Sequence, residues 1–183
     1  MPKLSLDEKL YDLDTFGDTR EHTALIKLGA NVNHVDDANG QTLIFVAASY
    51  GNEALVKLLV LNGAKVNVVD NHGYTPLHSA ACNDRANICD FLISRGAWIN
   101  FKDKRGYTPL YLAAVEGRTQ ACLSLLEAGA NTEGLGSIVD EQNYAKYNPQ
   151  CEIALASWLK RESALRTIDE SPGVQKAQKA CQI

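Results

Sequence analysis

Two phrases in this 183-residue chain stand 33 residues apart and match nearly position for position: Asp70-Asn71-His72-Gly73-Tyr74-Thr75-Pro76-Leu77-His78-Ser79-Ala80-Ala81 and Asp103-Lys104-Arg105-Gly106-Tyr107-Thr108-Pro109-Leu110-Tyr111-Leu112-Ala113-Ala114. A looser copy runs from Asp37 to Ala48, and a second mark, Gly-Ala, recurs at Gly29-Ala30, Gly63-Ala64, Gly96-Ala97 and Gly129-Ala130. A period of this length restricts the fold more than composition can, because each unit is one supersecondary element that buries its apolar face only against its neighbours. The chain reads as an array.

Within the best unit, Asp70 to Gly73 forms a turn in which Gly73 supplies the positive φ that other residues resist. Thr75 then starts a helix, with Pro76 at the first helical position, where its missing N–H costs nothing. Ala80 and Ala81 are small enough for neighbouring inner helices to approach closely. An outer helix follows and presents Ile88, Cys89, Leu92 and Ile93 inward at helical spacing. The equivalent slots hold Leu55, Val56, Leu59 and Val60, then Ala121, Cys122, Leu125 and Leu126. Cys89 and Cys122 share a slot with Val56 and are therefore expected to be small core hydrophobes.

The ends of an array must differ from its middle, since a terminal unit has one face in water. Ser5-Leu6-Asp7-Glu8 is a capping box, and Leu6, Leu10 and Leu13 form an apolar stripe behind it. Beyond Thr132 the pattern dissolves through Gly134-Leu135-Gly136. It resumes as helix-like sequence over 138–147 and 149–163, where Ile153, Leu155, Trp158 and Leu159 are placed to cover the last full unit. Residues 168–183, rich in Gln, Lys and Ala, are expected to form a mobile tail.

A net charge of −4 argues against a general binder of nucleic acid or anionic membrane, which needs a dominant cationic surface. Five cysteines without paired spacings fit a reducing compartment, the cytosol, nucleus or both. The N-terminus lacks an apolar signal core, and no apolar run reaches the roughly 18 residues of a membrane helix. His22, His34, His72 and His78 stand without metal-ligand spacing, so no metal is expected. Gly134-Leu135-Gly136 lacks the strand and third glycine of a phosphate loop, and no nucleophile motif surrounds Cys82, Cys151 or Cys181. Cys82, at the end of an inner helix, is expected to be a partly exposed structural thiol.

The period, the turn, the Thr75-Pro76-Leu77-His78 helix start, the paired alanines and the Gly-Ala exit together resemble the ankyrin repeat family over roughly residues 5–133. The resemblance implies an all-α ankyrin-repeat solenoid of helix-turn-helix repeats with short β-hairpin-like loops. The expected division is a capping repeat at 1–36, repeats at 37–69, 70–102 and 103–135, a degenerate capping repeat at 136–167, and the tail at 168–183. In this family the threonine and histidine of the helix-start phrase bond locally, which makes Thr75 and His78 structural. Leu43 in place of proline, and Phe45 and Tyr111 in place of histidine, depart from the phrase. Asp84, standing where Gly51 and Gly117 join paired helices, is expected to reshape or weaken its turn.

What the resemblance implies for function is a non-catalytic interaction module without cofactors, monomeric alone, binding a protein partner of unknown identity rather than nucleic acid or membrane. A regulatory inhibitor or adaptor of one enzyme or transcription factor is a competing expectation, and an enzyme with an unrecognised site in 134–183 is the rival of another class. Carrying the recognition slots across gives Asn39, Gln41 and Tyr50, then Asn71, His72, Tyr74 and Asn83, then Lys104, Arg105, Tyr107 and Glu116. Tyr74 and Tyr107 suit an interface anchor or partial packing against the next hairpin. Trp98 is either a second anchor or a plug between hairpins, and Lys102, Lys104 and Arg105 form a cationic tip that is either solvated or meets an acidic or phosphorylated segment. Asn67 and Asn100, with Asn33, resemble asparagines that are hydroxylated in ankyrin repeats of animal cells, although a hairpin hydrogen bond explains the same pattern.

Overall fold

The computed structural model describes residues 4–13, 18–133, 153–158 and 160–161. Among the described residues helices succeed one another as α1 (Leu6–Asp12), α2 (Arg20–Lys27), α3 (Leu43–Tyr50), α4 (Glu53–Leu61), α5 (Pro76–Cys82), α6 (Ala86–Ser94), α7 (Pro109–Val115) and α8 (Thr119–Glu127). A further helical stretch covers 153–158. Among the described residues the extended backbone amounts to one isolated antiparallel bridge, Val35 to Thr42. The architecture is the all-α repeat fold expected.

Successive helices pair, while α3, α5 and α7 stack as an inner layer and α4, α6 and α8 as an outer one. The inner layer is close because its contact residues are Ala47, Ala48, Ala80, Ala81, Ala113 and Ala114, all buried. The outer helices drive Leu55, Val56 and Leu59, then Ile88, Cys89 and Leu92, then Ala121, Cys122 and Leu125 into one continuous core. Each fully buried leucine there contributes roughly 1.5–3 kcal/mol through lost apolar exposure. Burial pushes the Cys89 thiol up to about 12, as suits a core side chain.

Local chemistry fixes where helices begin. Ser5 and Glu8 close the capping box of α1, at 2.6 and 3.2 Å, and the Ser5 N–H holds the Glu8 carboxyl below its usual range. At α5 the Thr75 hydroxyl caps the helix while the N–H of Thr75 donates to His78 Nδ1 at 3.1 Å. The His78 Nε2 then faces the carbonyl of Tyr107 in the next unit at 3.1 Å. The expected local role of this pair therefore extends across the repeat boundary.

Three features differ from the sequence reading. The hairpin of the second unit begins at Asp36 rather than Asp37, since Asp36 N–H donates to Gln41 O at 2.8 Å as Asp70 does to Tyr74 O and Asp103 to Tyr107 O, at 3.0 and 2.9 Å. Its tip holds one additional residue, and Gly29 to Gly63 accordingly spans 34 residues where Gly63 to Gly96 spans 33. Alignment backward from Thr42 hides this, because the insertion lies in the turn.

Asp84 does not reshape its turn. It takes φ 56°, beside 84° for Gly51 and 66° for Gly117, and the following N–H closes the same bond in all three: Asn52 to Ala47, Arg85 to Ala80 and Arg118 to Ala113, at 3.0, 2.9 and 2.8 Å. Aspartate is among the few residues that tolerate this conformation. Its carboxylate also accepts from the Ala121 N–H at 2.9 Å, in the first turn of α8, whose own N-cap Arg118 provides no side-chain bond.

In the 153–158 stretch Leu155 joins the core and Trp158 packs against it, but Ile153 is exposed and does not share in the cover. The start at Asn148-Pro149, the Leu159 side chain, Gly134 to Gly136, Cys151, Cys181 and the tail lie outside the described residues.

Candidate partner-binding surface

Each hairpin tip hydrogen-bonds to the next through its backbone. Asn71 N–H donates to Asn39 O at 3.0 Å, and Lys104 N–H to His72 O at 3.2 Å. The approach is so close that a β-carbon on Gly73 would stand 2.9 Å from the Lys104 nitrogen. Glycine there serves tip-to-tip contact as well as positive φ. Asn39, Asn71, His72, Lys104 and Arg105 consequently form one row.

Below the row, aspartates organise the turns. Asp70 Oδ1 accepts from the N–H groups of His72 and Tyr74 at 2.9 and 2.8 Å, and Asp103 Oδ1 from Arg105 and Tyr107 at 2.9 and 2.8 Å. Both aspartates are buried. Gln41 reaches Asp70 Oδ2 through its amide at 3.1 Å, so this recognition candidate already serves the fold.

The structure brings Tyr74, Arg105 and Tyr107 together. The Arg105 guanidinium lies 5.8 Å from the Tyr74 ring centre and 5.0 Å from that of Tyr107, and it donates to the Tyr74 hydroxyl. Tyr74 stacks on His78 at 5.5 Å and Tyr107 on Tyr111 at 4.4 Å, leaving both tyrosines half-buried. Burial raises the Tyr74 hydroxyl above its ordinary range. Packing against the fold and partial exposure thus coexist in these rings.

Trp98, 48% exposed, stacks on Phe101 at 5.1 Å, and Phe101 meets His78 edge-on at 6.4 Å. An aromatic chain therefore connects Trp98 to Tyr74 through Phe101, which the sequence reading did not single out. At the other end Tyr11 lies against Asn39, Asp36 and His34, its hydroxyl raised chiefly by burial. Its place on α1, outside the repeating phrase, gave no sequence signal.

The remaining candidates sit at the ends of inner helices. Tyr50 is exposed, Asn83 donates to Ser79 O at 2.9 Å and Ser49 Oγ at 3.3 Å, and Glu116 stands 3.8 Å from Arg118. Cys82 lies near Arg105, Glu116 and Arg118, with burial raising its thiol. A raised thiol is a poor nucleophile.

Asn67 spans two repeats, donating to Gly96 O at 2.8 Å and accepting from Trp98 N–H at 2.9 Å. Asn33 does the same with Gly63 O and Lys65 N–H at 3.0 and 2.8 Å, and Asn100 accepts from Asn131 N–H at 2.8 Å. These staples supply a structural reason for the asparagines. Among the described residues no His, Cys, Asp and Glu group could hold a metal, and no helix is long and apolar enough to cross a membrane.

A family model described as ankyrin repeats, in three copies, matches residues 16–103, and a single ankyrin repeat model matches residues 105–134. No curated protein matches the chain.

Proposed function

Because the chain belongs to the ankyrin repeat family, whose repeats are generally protein–protein interaction modules, we propose that it is a non-catalytic scaffold that captures a protein partner on its hairpin tips and inner-helix ends. The observation that carries this reading is the hydrogen-bonded row of tips, which holds Tyr74, Arg105 and Tyr107 in one fixed cluster. Aromatic and arginine side chains held rigidly lose little freedom on binding and dominate most interfaces. Asn39, Gln41, Tyr50, Asn71, His72, Asn83, Trp98, Lys104 and Glu116 are the proposed surrounding contacts.

The test is capture from a lysate of the native host by the parent chain and by Tyr74→Ala/Tyr107→Ala, read by mass spectrometry. Capture by the parent and loss with the double variant is expected, a weakening of at least about 2 kcal/mol. Since Tyr74 also stacks on His78, the unfolding midpoint is measured in parallel. Equal capture by a folded double variant would remove this surface from consideration.

A further inference from the structure

Surface charge changes sign along the row of tips. At the second unit Asp36 and Asp37 are both acidic, Asp36 half-buried and Asp37 exposed. Here the Asn39 side chain accepts from the Gln41 N–H at 2.8 Å, the role that Asp70 and Asp103 perform in the next two tips. The two carboxylates of the longer tip are thereby released from the turn, with Asp36 facing Tyr11. In the third and fourth tips the aspartates are only 5% and 6% exposed, their Oδ1 atoms on backbone N–H groups and their Oδ2 atoms on Gln41 and Arg105.

The fourth tip consequently presents Lys102, Lys104 and Arg105, all exposed, over a withdrawn Asp103. Lys104 and Arg105 are fixed, the first by the Asn71 carbonyl at 2.7 Å and the second by the Tyr74 and Tyr107 rings and by a 3.5 Å ion pair to Asp103 Oδ2, so the tip keeps two uncompensated cations. Lys102 has no hydrogen bond or ion pair among the described residues. Between the charged ends the third tip offers Asn71 and His72. The backbone bonds from Asn71 to Asn39 and from Lys104 to His72 fix the order of the tips, so negative and positive ends cannot exchange places.

We infer that the row accepts an extended acidic segment of the partner in one orientation, its carboxylates on Lys102, Lys104 and Arg105 and its basic or uncharged end toward Asp36 and Asp37. The inference rests on the proposed use of the tips as a partner surface. Complementary charge fixes register and suppresses the reversed arrangement, in which like charges meet at both ends. At low salt the interaction extends beyond a single contact, because the screening length is about 10 Å at 0.1 M.

The test uses the full isotope-labelled chain and a synthetic peptide with a glutamate block at one end, a lysine block at the other and glycine–serine between. A nitroxide is placed on either end in turn, and amide broadening is read at low salt. The label on the glutamate end is expected to broaden Lys102, Lys104 and Arg105, and the label on the lysine end Asp36 and Asp37. Lys102→Glu alone weakens the first pattern, Lys102→Glu with Lys104→Glu weakens binding at least roughly tenfold, and Lys27→Glu changes neither.

Reversed patterns, equal broadening from both labels, equally strong effects at Lys9, Lys27 or Lys65, or no binding would each overturn the orientation. The peptide contains no partner sequence. Its failure is therefore distinct from that of the partner surface itself, which is judged by capture with the tyrosine variants.

Discussion

His78 joins two repeats through a single protonation state. Its Nδ1 accepts from the Thr75 N–H, so the ring proton belongs on Nε2, where it meets the Tyr107 carbonyl. Burial lowers its pKa from 6.5, outweighing the opposing pull of the Tyr107 and Phe101 carbonyls and of Asp103 and Asp70. A group whose folded pKa is lowered contributes stability that is complete above the unfolded value and is lost as pH falls through the folded one. Urea midpoints should therefore decline as the pH falls below the ordinary histidine value of 6.5. His78→Phe, the residue type found at Phe45 in the same slot, should show a smaller decline, and equal pH dependence in both would refute the assignment. The local half of this role was legible in the Thr75-Pro76-Leu77-His78 phrase. Its long-range half was not, since the acceptor is a backbone carbonyl 29 residues away that no side-chain pattern encodes.

At the level of elements, α8 depends on a residue outside its own unit. Asp84 completes the turn between α5 and α6 and also binds the first turn of α8. Asp84→Ala loses the cap and the residue's tolerance of positive φ, and should cost roughly 1–3 kcal/mol by urea denaturation. Asp84→Asn keeps both functions and should lie within about 0.5 kcal/mol of the parent. Similar losses for the two variants would show that the carboxylate's charge matters rather than its acceptor geometry. The inward slots of α4, α6 and α8 followed directly from helical spacing, because burial repeats with the helix period. Asp84 looked like a flaw because its compensation comes from the following repeat. The longer second tip escaped notice because turn length leaves no mark on the helices either side.

For the molecule as a whole, neighbour-only packing makes stability depend on position. Helix α5 is flanked by α3 on one side and α7 on the other, whereas among the described residues α1 and α2 pack mainly against each other. Native-state hydrogen exchange should be slowest in α5 and faster by at least roughly tenfold in α1 and α2, reflecting a difference of about 1.4 kcal/mol or more in opening free energy. Uniform protection would mean that the array opens as one unit. The additional residue in the second tip has a wider consequence. The stack of helices absorbs it without a change in the hairpin's closing bond, so the chain possesses a socket where length can vary while the spine stays constant. Lineages carrying such a socket can lengthen or shorten the reading edge to suit a new client, and a protein engineer can graft a foreign loop at Asp37 on the same principle.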